Sequence, residues 1–253
     1  MSYKHSYQQI PPDYSESSHI NVPEETRQED VFKLDDFVSQ SNVKIRLAFV
    51  RKVYSILTIQ ILSIMASILL FKYNKSLELW LFSNAWSIFL SIFISFISLI
   101  TINFKARTYP TNMILLSIFT ISEAFTVGAC AHFYSIEVLM QATIITLGIF
   151  IALTAFTIQS KYDFSSMGPI LITGLFGLIL TGLINFFLPF PSFSKMLICI
   201  FTVFLFCGFI IYDTFMIMNR MSPEDYVLAS ISLYLDFLNI FINILRLLDG
   251  NND

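Results

Sequence analysis

Two carboxylates stand inside apolar stretches long enough to cross a bilayer. Asp213 lies in Phe206-Cys207-Gly208-Phe209-Ile210-Ile211-Tyr212-Asp213-Thr214, and Asp236 in Ser232-Leu233-Tyr234-Leu235-Asp236-Phe237-Leu238-Asn239. If the two meet, like charges in low dielectric cannot both ionise easily, so they would share a proton. A shared proton is a pH switch. Its loss sets up repulsion that separates the helices, and the freed oxygens of Asp213 and Asp236 then suit a hard cation such as Ca²⁺, bound transiently. Ser232, Asp236, Asn239, Asn243 and Arg246 follow one another in steps of four, three, four and three, which places them on one face of an α-helix. Lipid cannot solvate such a stripe, since an ionised Asp at the bilayer centre costs about 2.5 to 3.5 kcal/mol on insertion scales. The stripe must face protein or water, and Asn239, Asn243 and Arg246 extend a candidate ion pathway from Asp236. The competing structural role is that each Asp is an isolated, protonated packing residue, or that Asp236 pairs with a basic group. Glu123, in Ile121-Ser122-Glu123-Ala124-Phe125, is a candidate third pathway carboxylate, with protonated packing as its equal alternative. His132 reads as structural, and Glu137 and Asp163 as solvated loop-edge groups.

Seven apolar runs would position these residues: Val53 to Phe71, Leu79 to Asn103, Asn112 to Tyr134, Val138 to Ser160, Met167 to Leu188, Lys195 to Met218 and Tyr226 to Leu248. Each approaches or reaches the length of about 20 residues that spans the hydrocarbon core. The loops between them leave no room for a soluble catalytic domain. The implied fold is an all-α polytopic membrane protein, a seven-transmembrane-helix bundle over residues 43–253 behind a disordered N-terminal tail, residues 1–42. Ser222-Pro223 reads as an N-cap and a first helical position, which starts the last helix near 223. Asp236 then lies about 20 Å along that helix, whereas Asp213 lies about 9 Å before the turn, at 1.5 Å per residue. Pairing therefore requires a tilt, a kink, or a first turn lying in the interface.

Composition agrees with a membrane protein. Hydrophobic residues make up 55% of the chain against 13% charged, and the mean hydropathy is +0.70. No basic cluster accompanies the 27 Phe and 11 Tyr, which argues against nucleic acid as a partner. Cys130, Cys199 and Cys207 fall inside apolar runs as packing residues, with neither zinc nor disulfide spacing. The polar, acidic start has no signal-peptide pattern.

Eight of the 18 acidic residues lie in the first 36 positions, mixed with Ser, Gln and Pro, a composition that cannot offset chain entropy. Within this tail Pro11, Pro12, Asp13 and Tyr14 match the PPxY ligand of WW domains, so Pro11, Pro12 and Tyr14 are candidate partner-binding residues. With the N-terminus cytosolic, Lys44, Arg46, Arg51, Lys52, Lys105, Arg107, Lys161 and Arg220 lie inside, and Lys72, Lys75, Lys195 and Arg246 outside. Eight against four favours that orientation. The polar last span either crosses or is re-entrant. Asn74-Lys75-Ser76 is a glycosylation sequon too close to the membrane for use.

Arg46 to Phe71 (RLAFVRKVYSILTIQILSIMASILLF), Gln159 to Phe164 (QSKYDF) and Phe206 to Leu248 together resemble the transmembrane Bax inhibitor motif family, and within it the lifeguard branch. The resemblance implies a seven-helix fold, a Ca²⁺ leak from Golgi or endoplasmic reticulum stores, pH sensitivity from an aspartyl pair, and protection against apoptosis. By position, the pair is Asp213 with Asp236, and Glu224 in SPEDY matches an acidic position linked to conduction. Phe215 departs from the His that the nearest relatives carry there. The family's basic latch has no assigned counterpart, although Lys105 and Arg107 lie in the corresponding region.

The expectation is thus a pH-sensitive Ca²⁺ leak channel, with no enzymatic activity and no cofactor beyond Ca²⁺ as permeant ion. A non-conducting anti-apoptotic scaffold, acting through WW-domain or apoptosis-regulating partners, is the alternative. An intramembrane aspartyl protease also pairs carboxylates across two helices, but such enzymes use Gly-x-Gly-Asp on the second helix. Here Leu233-Tyr234-Leu235 precedes Asp236, too bulky for an extended substrate.

Overall fold

The structure, a computed structural model, describes residues 43–250. PPDY and the rest of residues 1–42 lie outside the described residues. The described chain is helical: α1 (Val43–Tyr73), α2 (Lys75–Ser83), α3 (Trp86–Lys105), α4 (Thr111–Ala131), α5 (Ile136–Gln159), α6 (Gly168–Phe187), α7 (Ser192–Asn219) and α8 (Tyr226–Asp249). All but α2 are long and apolar enough to span a membrane, seven in total.

The expected second run, Leu79 to Asn103, is divided in the structure. Asn74 caps α2 by accepting bonds from the backbone N–H groups of Ser76 and Leu77. The helix then ends at Ser83, and the second span begins at Trp86. Periodicity could not see this break, because both sides of it are apolar. The first helix also begins about ten residues before its apolar run, carrying Lys44, Arg46, Arg51 and Lys52 on its opening turns.

The most polar span is also the most enclosed. In α8, Leu233, Tyr234, Phe237, Ile240 and Phe241 are all 0% exposed, and the helix packs against α1, α4, α5 and α7. Its 24 residues run unbroken, about 36 Å at 1.5 Å per residue, which is the length of a full crossing rather than a re-entrant hairpin. From Ser232 to Asn243 the polar stripe therefore faces protein, as lipid exclusion requires, while Arg246 at the helix end is exposed. The peripheral α6 shows the reverse, with only Gly168 and Leu171 buried. It is held against α7 where a Cβ on Gly208 would come within 2.8 Å of Leu171 Cδ2, so small residues set the approach.

Where α3 meets α4, the residues that α3 buries are Ser87, Ser91, Ser95, Ser98 and Ile102. Small hydroxyl residues let two helices approach closely and bond across the seam. Ser91 and Thr126 share a 2.7 Å hydrogen bond.

The turns at one end of the bundle interlock. Arg107, after α3, donates two hydrogen bonds to Asp225, before α8, at 2.8 and 2.9 Å. Asn112 bonds the Ala106 carbonyl and the Tyr226 hydroxyl, while Lys52 Nζ lies 3.2 Å from the centre of the Tyr226 ring. Arg220 lies 3.7 Å from Asp163. With Arg107 half-exposed, removing its ion pair by Arg107→Ala is expected to cost about 0.2 to 1 kcal/mol, measured as the coupling in a double-mutant cycle with Asp225→Ala.

Candidate functional site

Asp213, six residues before the end of α7, and Asp236, ten residues into α8, meet at the interface of these helices. Their carboxyls lie within interaction range of one another, and the Ser232 hydroxyl, one turn before Asp236, lies within range of Asp213. The expected depth conflict is resolved by the turn between the helices. Ser222 does act as a cap, but of a separate 3₁₀ turn, Pro223–Asp225, and the α-helix starts only at Tyr226. The α-helical path to Asp236 shrinks to about 15 Å, and the remaining offset of about one turn is bridged.

The pair is asymmetric. Asp236 is 4% exposed, whereas Asp213 keeps partial exposure. Asp236 Oδ2 receives no hydrogen bond from a conventional donor among the described residues. Two ionised carboxylates would leave that buried oxygen uncompensated, whereas a carboxylic acid proton between the two groups supplies the missing donor.

The other candidates are placed differently. Glu224 is exposed in the 3₁₀ turn, at the bundle end nearer to Asp213. Asn239 and Asn243 bond backward to the carbonyls of Leu235 and Asn239, so their amide N–H groups serve their own helix. Arg246 is at the far end of α8, within interaction range of Tyr134 and Cys199 rather than of either carboxylate. Arg107 pairs with Asp225 rather than with the aspartyl pair. Among the described residues no group of three or more His, Cys, Asp or Glu converges, which leaves two carboxylates as the acidic ligands for a cation.

Glu123 lies on α4, bonded by Ser95 Oγ of α3. Tyr234 of α8 is within electrostatic range of it. Because residues 234 and 236 point about 200° apart on a helix, Glu123 and the aspartyl pair occupy opposite sides of α8. Glu123→Gln preserves an acceptor for Ser95 and is expected to shift stability by less than about 1 kcal/mol, while Glu123→Ala costs about 1 to 3 kcal/mol by leaving seam hydroxyls unpaired. Thermal unfolding of the purified protein checks both.

Asp163 can be set aside as a pH sensor. Bonds from the Ser165 side chain and backbone, and then the Arg220 charge, hold its carboxyl below the usual range. A carboxyl held low contributes stability that is present above its unfolded pKa and lost as pH falls through the folded one. That window is acidic, well away from neutrality.

The sequence reading missed three hydroxyls that lie within range of one another: Tyr54 on α1, Thr154 on α5 and Thr214 on α7. Thr214 directly follows Asp213, which was the available signal.

The match to known proteins is extensive. Residues 46–253 match the family model described as "Inhibitor of apoptosis-promoting Bax1". This chain belongs to that family. One member, "Bax inhibitor 1" of Schizosaccharomyces pombe, is 42% identical over 97% of this chain and 92% of its own length. Another, the "Golgi anti-apoptotic protein" of Vaccinia virus (strain Lister), is 40% identical over 88% of this chain and 94% of its own. "Protein lifeguard 4" of Mus musculus is 39% identical over the same shares. The family match covers the aspartyl pair and all of α3 to α8, so it includes every element that positions the site.

Proposed function

We propose that this protein is a pH-sensitive Ca²⁺ leak channel of Golgi or endoplasmic reticulum membranes, with its N-terminus cytosolic, which lowers store calcium and inhibits apoptosis. The observation that carries the proposal is the meeting of Asp213 on α7 with Asp236 on the central helix of a membrane bundle. Buried carboxylates in contact share a proton, and losing it favours separation of α7 from α8. Both carboxylates then offer oxygens to a hard cation without a full coordination shell, which suits passage better than storage. The Golgi location rests on the name of the Vaccinia relative, the endoplasmic reticulum on the family resemblance alone, and the orientation on the excess of basic residues at one set of turns.

A protease reading finds no support in the packing around the pair. Leu233, Tyr234 and Phe237 are 0% exposed, so an extended substrate would have to displace the centre of the bundle.

Purified full-length protein in liposomes loaded with a Ca²⁺ dye tests the proposal. Flux that rises as the pair deprotonates is expected. Absence of flux at every pH contradicts it, and loss of cell protection on deleting residues 1–42 with flux intact would favour the scaffold.

A further inference from the structure

A second pairing of titratable groups stands at the other end of the bundle. α4 runs from the turns where Arg107 meets Asp225 to its cap at His132, so His132 lies at the end away from the α7–α8 turn. There His132 Nε2 is 3.4 Å from Glu78 Oε1 of α2. That is ion-pair distance, longer than the about 2.7 to 3.2 Å of a direct hydrogen bond. The two side chains are 14% and 30% exposed, and the rings of Phe82 and Phe133 stand edge-on to the imidazole, their centroids 6.4 and 5.8 Å away. The other ring nitrogen, Nδ1, is buried without a hydrogen-bonding partner among the described residues.

A neutral imidazole facing a carboxylate keeps its hydrogen on Nε2, which leaves Nδ1 to take the next proton. Protonation then sets a full positive charge opposite Glu78 and at the C-terminal end of α4, where last-turn carbonyls gather negative charge. Lys72 of α1 opposes it, with its Nζ held by the His132 and Tyr134 carbonyls at 2.9 and 2.6 Å. Arg246 and Asp249 of α8, in range of Tyr134, carry opposite charges that offset each other. Lys75 of α2 and Glu137 of α5 are solvent-exposed, and the Cys130 thiol and Tyr134 phenol add no charge near neutrality.

The element that Glu78 holds is lightly attached. Of the nine residues of α2 only Leu81 is buried, against Phe71 of α1 and Ala129 of α4. Elements with so few buried contacts open first. The outer residues Leu79, Trp80 and Phe82 are exposed and apolar, a surface that suits the membrane interface. A released α2 would therefore rest in the interface instead of entering water, and little opposes its release.

We propose that Glu78 and His132 form a clasp that acid tightens, docking α2 on the end of α4, and that loss of the His132 proton loosens α2 from the α1–α4 seam it covers. The docked state binds the proton more tightly, so docking weakens as pH rises. Histidine is the side chain that changes charge between about pH 5 and 8. The clasp does not depend on the channel reading; only its sidedness, lumenal, rests on the proposed orientation.

Hydrogen exchange of the full chain in nanodiscs, read by mass spectrometry on peptides covering Lys75–Ser83 and corrected for the intrinsic pH dependence of exchange, tests the clasp. Protection of α2 should be about two- to fivefold greater at about pH 6 than at about pH 8, the range expected of one part-exposed ion pair. His132→Gln and Glu78→Gln should each abolish that difference, and His132→Arg, which keeps a cation at all pH values, should hold α2 protected at both. Equal protection of the wild type at the two pH values, or a difference that survives in His132→Gln and in Glu78→Gln, overturns the proposal. The difference should persist in Asp213→Asn with Asp236→Asn; its loss there would assign the sensing to the aspartyl pair and equally overturn the clasp. Absence of Ca²⁺ flux would defeat the channel reading and leave this measurement unaffected.

Discussion

Asp213→Asn and Asp236→Asn each remove the pH response of Ca²⁺ flux. In the wild type one proton shared by two carboxyls controls whether α7 and α8 repel one another, and a single proton changes the deprotonated fraction by at most about tenfold per pH unit. An Asn cannot ionise, yet it keeps the shape of Asp and offers an amide N–H to the remaining carboxylate. Each variant should hold the helices together at all pH values, with flux varying less than about twofold across the neutral range. The two differ in stability. Asp236 is almost fully buried and Asp213 is not, so Asp236→Ala, which strips the hydrogen-bonding partner from the interior, is the more damaging truncation, costing about 1 to 3 kcal/mol. Liposome flux across pH, together with thermal unfolding, separates a change of switch from a loss of fold.

Gly128→Val opens the bundle at a different place. A Cβ on Gly128 of α4 would clash with Ser67 Oγ and stand 3.0 Å from the Ser67 backbone carbon of α1. The hydroxyl could rotate away, but the backbone could not, so α1 and α4 would have to move apart. Overpacking of this kind costs about 1 to 3 kcal/mol. Gly128→Ala carries the same first contact but gains up to about 1 kcal/mol of helix propensity, so it should be the milder change. Ser67→Ala should rescue the alanine variant in part and the valine variant little, because the backbone contact remains. Melting temperatures of wild type and the four variants in detergent check the order, and equal melting of wild type and Gly128→Val would show that α1 and α4 are not in close contact.

Much of this arrangement was legible in the sequence because the membrane makes strong demands. Spans are long apolar runs, and a polar stripe on one of them must be enclosed, which is where α8 lies. The Asp213–Asp236 meeting followed from two carboxylates in consecutive spans, but its register did not. That depended on Pro223–Asp225 forming a 3₁₀ turn instead of the first turn of α8, a choice within the reach of the same Ser-Pro signal. The division between α2 and α3 was hidden for the opposite reason, since Asn84 and Ala85 interrupt the helix without interrupting the apolar pattern. Stripe membership also overstated kinship. Arg246 shares a face with Asp236 but lies ten residues, about 15 Å, farther along α8, within range of Tyr134 and Cys199. The hydroxyl cluster of Tyr54, Thr154 and Thr214 depends on three separate helices, which no single-span periodicity can reveal.

The central claim is that Asp213 and Asp236 hold a proton between them and release it when the site takes a cation. Infrared difference spectroscopy of the Glu123→Gln protein in nanodiscs reads this directly through the carbonyl stretch of a protonated carboxylic acid. The account predicts such a band at low pH, its loss as pH rises or as Ca²⁺ is added, and its absence in Asp213→Asn with Asp236→Asn. A band that persists in the double variant, or that is indifferent to both pH and Ca²⁺, would contradict it.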